Sequence, residues 1–224
     1  MQGNTRIAGL RGCVSAVIAP QISLDSLAFV EIILHQPTGV LYLACSTLLS
    51  REHWFPGLTQ LNATGASTKD YVATYDPVTS RITRLTTPDF NDGRGLSLHG
   101  MDVVPSTSNP SELFVYLVNH RIPLGDANPV EVGADSVIEI FTTTVGGTTL
   151  KHKRTIENPI IVTPNSVSGS ADGESFYFTN DHGVRIGLVC NSFPPRPSMC
   201  LIPISDQIPG VIGTQKLFSR LLPY

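Results

Sequence analysis

A β-hairpin pattern returns in this chain at intervals of 68 and 66 residues, and that period constrains the fold more than any other feature. Three hairpins carry it: "VEIILHQPTGVLYLACS" from Val30, "LHGMDVVPSTSNPSELFVYLVNH" from Leu98 and "PNSVSGSADGESFYFTNDH" from Pro164. Each has two runs rich in Val, Ile, Leu, Tyr or Phe around a turn of Pro, Gly, Ser, Asn or Asp, the residues that reverse a chain. Between them lie "YVATYDPVTSRITRL" (71–85) and "SVIEIFTTTVGGTTLKHKRTI" (136–156), two further hairpins. Helical periodicity is almost absent, so the chain reads as all-β.

Two hairpins per period make four strands per unit, the mark of a β-propeller blade. The period exceeds the roughly 40–50 residues of common blade repeats. The insertions "TLLSREHWFPGLTQLNATGASTKD" and "RIPLGDANPVEVGAD" account for the excess. A β-sandwich is the rival architecture, but it leaves the recurrence of polar residues at matched places unexplained. In a propeller the first strand of each blade lines the central channel, so equivalent residues converge on one axis. Glu31, His99 and Asn165 are those residues here. A carboxylate and an amide oxygen on one axis suit a hard, oxygen-liking cation such as Ca²⁺. At this period the 224 residues supply about three to four blades, where a closed ring takes about 4–8. The expectation is therefore a lead-in over 1–26 followed by a single propeller-type domain over 27–224 that is incomplete on its C-terminal side.

Composition narrows the class of partner. Fifteen basic residues against eighteen acidic ones, with 15% charged residues in all, give no basic footprint for nucleic acid. No window reaches the length of apolar sequence that a membrane span needs. The N-terminal stretch is a poor secretory signal. The compartment stays open, the cytosol being favoured. Cys190 and Cys200 either pair across the Pro-rich loop between them or remain buried thiols. Oligomeric state is not legible.

The ordered motifs "LHGMDV", "LVNHR", "TPNSV" and "FTNDHG", with "GVLYLACST" and "REHWFPGLTQLNATG" before them, resemble the calcium-dependent paraoxonase/arylesterase family, in particular its fungal branch. The resemblance covers nearly all of 27–188. It implies a six-bladed propeller with a structural and a catalytic calcium in its channel, and hydrolysis of small lactones and aryl esters. Residue by residue, it puts the family's histidine dyad on His99 and His120. His99 would be the general base on water, assisted by His120, and calcium would polarise the carbonyl. The calcium-binding asparagine falls on Asn165, the backbone carbonyl that holds the structural ion on Met101, and one carboxylate ligand on Glu31. Asn180 and Asp181 would line the substrate channel, although "FTNDHG" also reads as an ordinary turn.

This chain departs from the family at several ligands. Val30 stands before Glu31 where the family has an acidic pair, and Ser166 follows Asn165 where animal members have aspartate. A site that takes 6–8 oxygens is thereby undersupplied. A non-catalytic propeller fragment acting as an interaction module is the alternative function. His35, His53 and His152 read as surface or turn residues. Trp54 reads as a loop anchor or a channel cover.

Overall fold

The computed structural model describes residues 27–181, 185 and 198–203. The lead-in over 1–26, the thiol of Cys190 and any strands after Pro203 lie outside them. The described residues form thirteen strands: β1 Leu27–His35, β2 Val40–Thr47, β3 Trp54–Phe55, β4 Gln60–Leu61, β5 Tyr71–Asp76, β6 Arg81–Arg84, β7 Leu98–Pro105, β8 Glu112–Arg121, β9 Asp135–Thr144, β10 Lys151–Ile156, β11 Pro164–Gly169, β12 Ser175–Asn180 and β13 Ser198–Pro203. They assemble into two four-stranded antiparallel sheets, β1-β2-β5-β6 and β10-β9-β8-β7, a three-stranded sheet, β11-β12-β13, and the short pair β3-β4. The described residues are all-β apart from short helical turns. All five hairpins read from the sequence form.

Within each large sheet the first strand in sequence is an edge strand, and these edges face one another. β7 lies against β1 on one side and β11 on the other. Asp102 of β7 reinforces the second contact, its Oδ2 accepting from Gly169 N at 2.9 Å. The three edge strands share a further feature: each is bulged near its start. The register slips between Phe29 and Glu31, between Leu98 and Met101, and between Pro164 and Val167. Val30, His99–Gly100 and Asn165–Ser166 therefore occupy matching irregular positions, at the period the sequence repeats.

The middle sheet is buried on both faces, which explains why β8 reads as a nearly continuous apolar run. Leu113, Val115 and Leu117 pack with Phe141, Leu98 and Met101 against Tyr42 and Ala44 of the first sheet. Tyr116, Val118, Ile138 and Ile140 pack against Val167, Phe176 and Phe178 of the third. Each fully buried side chain of this size contributes about 1.5–3 kcal/mol, so the middle sheet carries much of the apolar stabilisation.

The two insertions are more ordered than loops of their composition suggest. The first holds a helical turn, α1 Leu48–His53, whose N-terminus is capped by Thr47 accepting from Ser50 N. Arg51 and His53 sit in its last turn, where the helix dipole favours cations. Trp54, directly after it, is fully buried. The second insertion holds α2 Pro129–Val132, opened by Asn128 as cap and closed by Gly133 at φ 78°. His152 is not the surface residue its sequence context suggests. Its Nε2 meets the fully buried Glu139 at 3.0 Å, and its ring packs edge-on to Phe90 and Phe141. No described helix is long and apolar enough to cross a membrane.

Candidate active site

The bulge in β7 takes His99 and Gly100 out of the ladder with β8, while His120 N bonds Ser97 O at 2.9 Å. Bulges re-aim side chains, and this one turns the His99 ring onto His120 across the hairpin. His99 Nδ1 lies 3.1 Å from His120 Nε2, with the ring centroids 5.3 Å apart in an edge-to-face pose. Strand pairing continues the chain of contacts. His120 faces Ser136 in the β8–β9 register, and His120 Nδ1 lies 2.8 Å from Ser136 Oγ. His99 is 9% exposed, His120 1% and Ser136 3%.

The first insertion builds the wall around this pair. Trp54 Nε1 donates to His120 O at 2.8 Å, and the Phe55 ring packs 4.8 Å from that of His99. Arg51 donates from both Nη atoms to Leu98 O, at 3.0 and 2.7 Å, and its guanidinium stacks on Phe55. Asp70 Oδ2 accepts from Leu98 N at 2.9 Å. The peptide groups flanking Leu98 are thus held by a cation on one side and a carboxylate on the other, which fixes the backbone directly before His99. Trp54 is an anchor of this wall. Replacing it with Phe removes the donor and leaves the His120 carbonyl short of a partner. Urea unfolding of Trp54→Phe should show a loss of about 1–3 kcal/mol, and an unchanged midpoint would show the bond to be dispensable.

Electrostatics keep both imidazoles neutral at physiological pH. Burial, reinforced by Arg51, pushes His99 down to about 4, against an upward pull from Asp181. His120 lies well below its ordinary value because of burial, then His99 and Arg51. Burial raises Asp70, although Ser67, the Leu98 N–H, Ser46 and Arg51 all favour its carboxylate. A neutral imidazole carries one N–H and one lone pair, so His99, with Nδ1 engaged, has Nε2 left for chemistry.

The remaining residues singled out from sequence divide. Asn165 donates from Nδ2 to Asp181 Oδ1, and Asp181 acts on His99 electrostatically, so both belong to the surroundings of the dyad. Asn180 does not line a channel through its amide. Its Oδ1 accepts from Val162 N and Thr163 N, both at 3.1 Å, and its Nδ2 donates to Ile160 O at 2.9 Å, tying down the approach to β11. Met101 is buried in the core and pairs with Leu117. Glu31 follows the β1 bulge, half-buried and opposite Ala44.

Calcium takes six to eight oxygen ligands, carboxylates foremost. Among the described residues no group of three or more His, Cys, Asp or Glu is placed to hold a metal ion. Asn165 turns an N–H, not an oxygen, to the carboxylate beside it.

Arg51, Ser136 and Asp70 were not singled out from sequence. Arg51 lies in an insertion without periodicity, and Ser136 meets His120 only through a register that spans the second insertion.

No family model matches the chain, and no curated protein matches it. Among solved structures it is similar to a GH43 β-xylosidase/α-arabinofuranosidase from a compost microbial metagenome, crystallised with xylotriose in a calcium-free form. The identity is 11% and the TM-score 0.46, over 82% of this chain and 57% of that one. The chain thus spans little more than half the length of that protein, and nothing about substrate follows from the likeness.

Proposed function

We propose that the chain is a β-propeller-type domain carrying a hydrolytic site for small carboxylic esters or lactones, with His99 as general base and His120 supporting it. The observation that carries this reading is the hydrogen-bonded run His99–His120–Ser136, with His99 held in the bulge of one of three matching edge strands. The propeller reading is supported by the side-by-side first strands and by bulges that recur at the sequence period.

In this mechanism a water attacks the ester carbonyl carbon while its proton passes to His99 Nε2. The tetrahedral intermediate then collapses, breaking the bond to the alkoxyl oxygen, which takes the proton back from His99. Water is consumed, and a carboxylic acid and an alcohol are released (one hydroxy acid from a lactone). His99, neutral above pH about 4, has a lone pair on one ring nitrogen throughout the physiological range.

Phenyl acetate and a γ-lactone are the test substrates. His99→Gln should lower kcat/KM by at least about 100-fold, the usual contribution of a general base. A chelator arm tests the calcium that the family resemblance implies. Retained turnover in His99→Gln would remove the base from this mechanism. A folded wild-type chain with no turnover would favour a second reading, a non-catalytic domain, which the near-complete burial of both imidazoles supports.

A further inference from the structure

Two hydrogen orders satisfy the run Ser136–His120–His99, and only one of them leaves a base. If the Ser136 hydroxyl donates to His120 Nδ1, then His120 donates from Nε2 to His99 Nδ1. His99 then carries its proton on Nε2 and has no lone pair there for water. If Ser136 accepts instead, His120 carries its proton on Nδ1 and takes the Nδ1–H of His99 on Nε2. His99 Nε2 is then bare. Both orders fit the observed separations of 2.8 and 3.1 Å. The choice is made at the serine, because its hydroxyl can donate or accept while each neutral imidazole nitrogen is committed by its neighbour.

The surroundings of Ser136 leave room for the second order. Ser136 lines a polar cavity of about 290 Å³ together with Asp135, Glu157, Asn158, Pro159 and Arg185. The cavity gives the hydroxyl proton a polar, open space to point into, which would turn an Oγ lone pair to His120. Arg121, next to His120 in sequence, holds Asp135 at 2.7 Å and Glu157 at 2.8 Å, and Arg94 holds Asp135 as well. These ion pairs hold both side chains in place at the cavity.

We propose that Ser136 is a positioning residue that, by directing its hydroxyl proton into this cavity, fixes both imidazoles as Nδ1–H tautomers and leaves His99 Nε2 as the base. The inference rests on the hydrolytic reading for its purpose, but its primary test does not. In ¹⁵N-labelled protein at pH 7.5, imidazole nitrogen shifts distinguish a protonated Nδ1 from a bare one. The expected result is Nδ1–H on His99 and His120 in the wild type. In Ser136→Ala, His99 should shift its proton to Nε2 and kcat should fall at least about 100-fold with little change in KM. Ser136→Thr, which keeps the hydroxyl, should restore the wild-type tautomers and most of the rate. His99 protonated on Nε2 in the wild type overturns the proposal, and that measurement decides even if Ser136→Ala does not fold. Unchanged tautomers in a folded Ser136→Ala overturn it too. Expected tautomers in a wild-type chain that hydrolyses no ester would sustain the hydrogen-bond assignment and refute the hydrolase.

Discussion

Acidification from pH 7 to 4 is expected to cost the fold about 3 kcal/mol through His99 alone. The unfolded chain titrates this histidine near 6.5, while the folded chain holds it down to about 4. Between those values the unfolded state binds a proton that the folded state refuses, so stability falls as pH drops through the window. Above 6.5 both states are neutral and the contribution is fully present; below 4 both are charged and the loss is complete. His120 acts in the same direction, since it too lies well below its ordinary value. Asp70 opposes them at the acid end, because burial raises its pKa and the folded state gains a proton first. Urea midpoints at pH 7, 6, 5 and 4.5 should therefore begin to decline near pH 6.5, well before ordinary carboxylates titrate. The double variant His99→Gln/His120→Gln should flatten that decline. A midpoint constant from pH 7 to 5, or an equal decline in the double variant, would show that the pair is not held neutral.

The parts of this molecule legible in sequence are those governed by local rules. Period-two apolar runs and turn residues locate the hairpins because both signals are read over a few residues. The turns "HQPTG" and "SADGE" place glycine where the backbone needs positive φ, and Gly39 and Gly173 adopt φ of 72° and 76°. The period brings His99 and Asn165 to matching bulges because each sheet repeats the same path, but in the first hairpin the bulged residue is Val30, one before the expected Glu31, which is back in the ladder opposite Ala44. What escapes is set by register and by contacts between insertions and sheets. Asn180 and Asp181 are neighbours in sequence, yet successive residues of an extended chain face opposite ways. One is consumed in bracing residues 160–163 and the other reaches Asn165. His152 looks like a charged-strand surface residue until the β9–β10 pairing places it beside Glu139. Arg51 could not be placed at all without the turn that Thr47 starts and the strand end that it binds.

Gly100→Ala is expected to be the most damaging small substitution at the site, with a loss of about 1–3 kcal/mol from overpacking and a larger fall in any activity. Gly100 sits in the β7 bulge with its Cα against β11. A Cβ there would stand 3.0 Å from Ser166 Cα and 3.1 Å from the Asn165 carbonyl carbon, and nearer still to the Asn165 oxygen. These are backbone atoms, so no rotamer change relieves the clash; β7 and β11 must part. Separation would stretch the Asp102–Gly169 bond and draw Asn165 and Asp181 away from His99, leaving the His99–His120 contact within its own sheet. The expected signature is thus intact dyad tautomers with weakened stability and turnover. Gly125→Ala is the control: its φ of 66° imposes backbone strain, but a Cβ there meets nothing within 4 Å. A urea midpoint for Gly100→Ala equal to that of the wild type would mean that the β7–β11 approach is loose enough to admit a methyl group. The three edge strands would then not be held tightly enough to keep Asn165 and Asp181 beside the dyad.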